Sequence, residues 1–238
     1  MKRFYKTAAA GVDGPPHPLL LDGKPVLTPQ SQRLALPTRE LAEALAEEWQ
    51  SQDKELVPAK MPLTRLAHGA IDLVAPDPSR AIDEITAYAG SDLLCYRAES
   101  PVGLAARQAK LFDPILAWAA DHLGSGFVKV VGVMPRDQPA ETLAAVQRLL
   151  AVQDPFRLIA LHAITTLTGS AILALALAEG RINAEEAWTA AHVDEDWQIA
   201  QWGEDAEAAQ RRAAQKVEFL AACRLLDLIG GVRRCRKS

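Results

Sequence analysis

Residues 158–178 read LIALHAITTLTGSAILALALA, twenty-one positions without a formal charge and the longest such run in the chain. Wound as a helix, the run places Ile164 and Leu175 on one side, Ile159 and Leu177 on another and Ile172 opposite. A helix that is apolar all round must be enclosed, by lipid or by the rest of its own protein. The length suffices to cross a bilayer. The middle does not suit one, because His162, Thr165, Thr166, Thr168, Gly169 and Ser170 sit where a span is most apolar. Nor do the flanks: Asp154 and Arg157 precede the run, Glu179 and Arg181 come after it, and no basic cluster sets an orientation. The run therefore reads as one buried central helix around which the other helices pack. His162, Thr166 and Gly169 recur at i, i+4 and i+7, the spacing of a seam for close approach of a neighbouring helix.

Composition frames that reading. A chain of 238 residues, 49% hydrophobic and 24% charged, has enough apolar material for one large core or two modest ones. The net charge of −4 argues against general nucleic-acid binding. Cys95, Cys223 and Cys235 are odd in number and show no CxxC spacing, which points to a reducing compartment. The opening MKRFYKTAAAG has no apolar core of a secretory signal and no long Arg- and Ser-rich leader, so a soluble, cytoplasmic protein is expected. The charge is unevenly spread: residues 179–210 hold nine acidic side chains and one basic, whereas 211–238 hold eight basic and two acidic. Such a pair of segments usually complements itself or forms a solvated face, and sometimes a docking surface.

Outward from the central run, the chain divides near residue 36. Residues 3–9 and 18–21 are candidate strands, and Asp22-Gly23 is a strong hairpin signal. Residues 24–28 and 33–36 come next as short strands, with Pro25 confining the former to an edge or a strand start. So small a β unit cannot hold a core alone and must lean on the helices after it. From Thr38, a plausible N-cap, the pattern is helical, with Leu41, Leu45 and Trp49 at i, i+4 and i+8. Pro62 opens a second helix carrying Leu63, Leu66, Ala70 and Leu73, and a third spans 79–88. Pro101 begins a longer one, in which Asp113-Pro114 signals either a fresh start or a kink. Residues 124–134 are ambiguous, with FVKVVGV a possible strand. Pro139 starts a helix to Ala151, and helices over 183–202 and 204–228, split at Gly203, complete the chain. The fold class is α+β: a small N-terminal antiparallel β domain (1–36) packed on a larger all-helical C-terminal domain (37–238).

Motifs of catalysis are not found. Gly124-Ser-Gly126 begins a dinucleotide fingerprint, but Lys129 stands where the third glycine belongs. No phosphate loop, no GxSxG elbow and no metal-ligand spacing among the five histidines is present. The richer segment is WTAAHVDEDWQIAQWGED (188–205). On one continuous helix, Trp188, Ala191, Ile199 and Trp202 make a stripe with Glu195 in its middle, and Trp197 projects nearly opposite. A carboxylate among tryptophans must be paired, reach solvent or await a partner's cation. Its internal option is Arg211 or Arg212 of the next helix, and Asp196, about 100° further round, should be indifferent. Each tryptophan is by itself more often core than interface, although Trp is enriched in interface hot spots.

Eight stretches together carry a resemblance: RFYK (3–6), LDGKPVLTP (21–29), EWQSQ (48–52), MPLTRLAHGAID (61–72), SDLLCYRA (91–98), RQAKLFDPILAW (107–118), ILALALAEG (172–180) and DEDWQIAQWGEDAEA (194–208). In this order they resemble the assembly-chaperone family for the ATP synthase F(1) sector, whose members bind the alpha subunit before it joins the catalytic ring. RFYK begins at residue 3, as in a bacterial member without an import leader. Phe112 stands where the family pattern has Trp, and the basic end after Leu228 has no counterpart in it. The resemblance implies a chaperone without enzymatic activity or cofactor. It would act as a monomer in the cytoplasm (the mitochondrial matrix for organellar relatives), without binding nucleic acid or inserting in a membrane. Its partner would be the F(1) alpha subunit, held on the surface later buried against beta, with Glu195, Asp196, Trp197 and Trp202 as the partner-binding residues. Two other classes stand beside it: a soluble helical enzyme whose site forms no sequence motif, and a membrane-anchored protein built on 158–178.

Overall fold

Gly169 divides the uncharged run. The structure, a computed structural model, describes residues 2–12, 14–132, 134 and 136–230. In it the run forms two helices, α6 (Pro155–Thr168) and α7 (Ala171–Ala178), where the sequence suggests one. Gly169 adopts a left-handed backbone at φ +69°, the usual way to end a helix, and the Ser170 side chain accepts from the Leu173 N–H to start the next. The proposed seam is corrected with it. His162 Nε2 bonds Glu84 Oε2 at 2.6 Å, and the Thr166 hydroxyl donates to carbonyls of its own helix. The run is central all the same. Every residue of α7 is buried, and α6 packs on α2 (Pro62–Gly69), α3 (Ser79–Gly90) and α10 (Ala206–Leu228). Among the described residues no helix is long and apolar enough to cross a membrane.

The remaining helices obey their capping signals. Thr38 caps α1 (Arg39–Gln50), accepting from the Leu41 N–H. The Glu48 carboxylate accepts from the N–H groups of Leu63 and Thr64 at 2.8 and 2.9 Å and so caps α2 from another helix. Beyond Gly69 the α-helix loosens into a π turn, Ala70–Val74. The wider turn changes which side chains face inward: Leu73, read as a core position, is 64% exposed, and Asp72 is buried, accepting from the Gln30 N–H at 3.1 Å. Helix α4 (Val102–Leu123) runs through Pro114 without a restart, because Asp113, instead of capping a new helix, pairs with Arg97 at 2.8 Å. The ambiguous 124–134 segment yields only β6 (Val130–Val131), parallel to β5 (Tyr96–Arg97), with residue 133 outside the described residues. Then come α5 (Ala140–Ala151), α8 (Ala184–Ala191), α9 (Val193–Trp202) and α10. Most of the basic end, with Cys235, lies outside the described residues.

At the N-terminus, β2 (His17–Leu21) pairs antiparallel with β1 (Ala8–Ala10), β3 (Lys24–Pro25) and β4 (Ala35–Leu36). Asp22 and Gly23 both have positive φ, +48° and +79°, the backbone of a tight hairpin turn. Asp22 tolerates it because its carboxylate accepts from the N–H groups of Lys6 and Thr7 at 3.0 and 2.9 Å. Residues 3–7 are held by α1 rather than by strand pairing: the Tyr5 hydroxyl donates to the Trp49 carbonyl at 2.6 Å, and Arg3 reaches the carbonyls of Lys6, Gln50 and Gln52. Leu19, Leu21, Leu34 and Leu36 belong to the same hydrophobic cluster as Leu41 and Leu45 of α1. A division at residue 36 is accordingly a proposal with a defined outcome. A fragment of residues 1–36, stripped of α1, should give collapsed, undispersed amide signals by NMR; dispersed signals would show an independent unit.

Asp92 generates the second prediction. Fully buried, it accepts from Leu94 N–H (3.0 Å), Ser170 Oγ–H (2.7 Å) and Ile172 N–H (3.0 Å), joining a short 3-10 turn to the start of α7. Burial pushes its carboxyl from 3.8 up to about 6, against the pull of those donors. A folded value above the unfolded one gives stability that is complete below about 3.8 and is lost as pH rises through about 6. In urea titrations, acidifying from about pH 7.5 to about pH 5 should stabilise the wild-type chain by about 1 kcal/mol more than Asp92→Asn. Equal pH responses would rule this out.

Candidate functional site

The expected stripe across 188–202 does not form, because the helix breaks at His192. The His192 backbone N–H donates to the Trp188 carbonyl at 3.2 Å and its Nδ1 reaches the same oxygen at 2.9 Å, closing α8. Asp194, Glu195 and Asp196 then fall in the first turn of α9, where carboxylates favour a helix start. The break separates the tryptophans. Trp188 is buried, stacked on His192 with ring centroids 3.9 Å apart and tilted against Phe219 at 5.2 Å. Trp202, at the far end of α9, is 80% exposed. Burial holds the His192 imidazole below its usual range, so it is a neutral packing partner at neutral pH.

The three carboxylates at the start of α9 each have an internal partner. Asp194 accepts from the Gln108 side chain of α4 at 2.7 Å, and Gln108 in turn accepts from the Ala98 N–H at 2.8 Å. Arg212 of α10 reaches both others: Asp196 at 2.6 Å, and Glu195 at 3.6 Å, an ion pair too long for a hydrogen bond. Arg212 is one of the two cations the sequence offers Glu195, but Asp196, read as the indifferent neighbour, takes the closer contact. Trp197 turns back onto α4. A Cβ added at Gly103 would come within 2.6 Å of its ring, so the glycine is what lets the outer edge of the indole approach the helix there. Of the four candidate residues, Glu195, Asp196 and Trp197 are half-buried and engaged within the fold, and Trp202 alone is openly displayed. Gln108 and Gly103 escape sequence reading as site residues, since nothing local marks a glycine or an amide as the rest for a helix about ninety residues away.

Past Trp202, Gly203 turns the chain at φ +87° and Asp205 caps α10, accepting from the Ala208 N–H at 2.8 Å. Glu204 and Asp205 are exposed and have no ion-pair partner among the described residues. Residues 194–212 thus carry six carboxylates against Arg211 and Arg212, a concentrated acidic surface beside an exposed indole. Elsewhere, the buried groups with displaced pKa have structural duties. Glu48 caps α2, Asp92 starts α7, and Cys95 and Cys223, both pushed up to about 12 by burial, are inert core thiols. Among the described residues no three His, Cys, Asp or Glu side chains cluster to hold a metal ion.

The geometry of the Arg212 fork sets a testable order. Asp196→Asn should cost more folding free energy than Glu195→Gln, each about 1 kcal/mol or less because all three side chains reach solvent. Urea midpoints of the two variants check this, and a larger loss in Glu195→Gln would contradict it.

The family model described as ATP12 chaperone protein matches residues 2–120. Among solved structures, the Atu1473 protein of Agrobacterium tumefaciens, a chaperone by description, is similar at 47% identity and a TM-score of 0.91, over 96% of this chain and 86% of that one. Atp12 of Paracoccus denitrificans is similar at 38% identity and a TM-score of 0.90, over 96% of this chain and 98% of its own. A point mutant of the same Paracoccus protein matches at 38% identity and 0.90, over 96% and 97%.

Proposed function

The chain belongs to the ATP12 chaperone family, and from that premise we propose that it holds the unassembled alpha subunit of the ATP synthase F(1) sector. It is a chaperone and not an enzyme. In the proposed cycle it covers the alpha surface that is later buried against beta, stabilises alpha by mass action while bound, and is displaced when beta arrives. It works as a monomer in the cytoplasm, and a stoichiometric holder of this kind needs no nucleotide or metal of its own.

One observation supports the reading most: the exposed Trp202 beside Glu204 and the N-cap carboxylate of Asp205, neither with an ion-pair partner among the described residues, in the family-like stretch 194–208. An indole in water next to uncompensated carboxylates suits a partner that brings an apolar pocket and a cation. Glu195, Asp196, Trp197 and Trp202 are the proposed contact residues. Trp202 acts as the anchor, Glu195 and Asp196 offer the oxygens that Arg212 leaves free, and Trp197 offers the edge not covered by Gly103.

Mixing the protein with separately purified alpha subunit, beta subunit and assembled ring, then sizing the products, tests this. A complex should form with alpha alone. Co-elution with the intact ring at comparable affinity, or no complex with alpha, would refute the reading, because the covered surface is inaccessible once the ring is closed.

A further inference from the structure

The outward side of α10 carries no charge from Ala206 to Leu220, with a single amide, Gln210, among small and apolar side chains, over turns where a solvent-facing helix is normally charged. Phe219, Ala222, Leu225 and Leu226 direct the opposite side into the core. Half a circumference away lie Ala206, Gln210, Ala213, Val217 and Leu220, separated by four, three, four and three residues and all exposed, Val217 to 53% and Leu220 to 46%. The charges flank this band instead of occupying it. Glu207 pairs with Arg211 and Glu218 with Arg65 on one side, while on the other Arg212 leans toward Asp196 and the Lys216 ammonium lies 5.7 Å from the Trp188 ring centroid. A spacing that alternates threes and fours is that of a seam receiving another helix at a shallow angle. From Ala206 to Leu220 it extends about 21 Å, three to four turns of a partner. The alanines admit a close backbone, and Val217 and Leu220 give the far end its apolar bulk.

The near end of the seam carries a different chemistry. Trp202 stands four residues before Ala206, and Glu204 and Asp205, without cation partners among the described residues, lie between them. We propose that Trp202 and the outward side of α10 seat an amphipathic helix of the client, apolar toward Val217 and Leu220 and basic at the end that meets Glu204 and Asp205. The assignment rests on the client-binding reading above and adds what that reading lacks, the form and charge pattern of the bound element. Charge complementarity selects the occupant: an element acidic at that end would add its charge to six carboxylates already opposed by only two guanidiniums.

The test uses the full chain and purified alpha subunit, titrated calorimetrically at low and high salt. The double variant Val217→Glu/Leu220→Glu should bind alpha about tenfold or more weakly with an unchanged melting temperature. Ala213→Glu, also on the outward side, should weaken binding independently of any local packing effect at Leu220. Glu204→Lys should weaken binding several-fold and flatten its salt dependence, as removal of a complementary charge requires. Wild-type affinity in both apolar-side variants overturns the seam and leaves the client reading standing. A wild-type chain that fails to bind alpha overturns both. A wild-type chain that sizes as a dimer, with the double variant a monomer, gives the seam to a second copy and overturns its assignment to the client.

Discussion

The carboxylate of Asp92 sits out of contact with solvent at the point where α6 ends and α7 begins, and the arrangement of the helical layer depends on it. The 3-10 turn Leu93–Cys95 and α7 both begin there with free N–H groups facing the interior, which would be costly if left unpaired. One carboxylate accepts from the Ser170 hydroxyl and the Ile172 N–H of one element and from the Leu94 N–H of another. That fixes α7 against the 3-10 turn that leads into β5, and hence α4 against α7. The burial that lifts the Asp92 pKa is the cost of that junction at neutral pH. A neutral amide of the same shape would point an NH2 at donors and lose part of the acceptor set.

The same economy of polar groups recurs at lower burial. Glu48 starts α2 from across the helix pair, Asp72 ties the 28–30 loop to the π turn, and Arg3 gathers backbone carbonyls at the end of α1. In each case a charged side chain satisfies the loose backbone groups of a distant element. The Arg3 and Asp72 contacts join the N-terminal segment to the helices alongside the shared leucine cluster.

Local signals were readable where the physics is local. Thr38, Pro62 and the Asp22-Gly23 turn stand where capping and turn chemistry place them, and the α+β class comes from the change of period near residue 36. The Gly169-Ser170 pair is also a helix stop followed by an N-cap, yet the uncharged run hid it, because apolar patterning carries no period when every side is buried. Leu73 misled for a related reason: a π turn shifts the register by one residue, and nothing in the spacing of Leu63, Leu66 and Ala70 announces it. At the candidate site the acidic and aromatic content was plain, but its division into engaged and free groups was not. That division depends on Arg212, Gln108 and Gly103, which come from other helices and are brought in only by tertiary packing.

In the proposed reading the protein displays apolar surface without binding its own copies, and residues 194–220 would reconcile the two. Trp202, Val217 and Leu220 are the large exposed apolar side chains of this stretch. Beside them one cation, Arg212, serves two carboxylates, so α9 stays docked while the local excess of negative charge is preserved. Two copies approaching through this end bring like charges together, whereas a cationic partner is drawn in, and both effects act before any apolar contact is made. Had each carboxylate been given its own guanidinium, α9 would be no better fixed and the discrimination would be gone. In that reading the sparing use of arginine, more than the tryptophan itself, would make the surface selective.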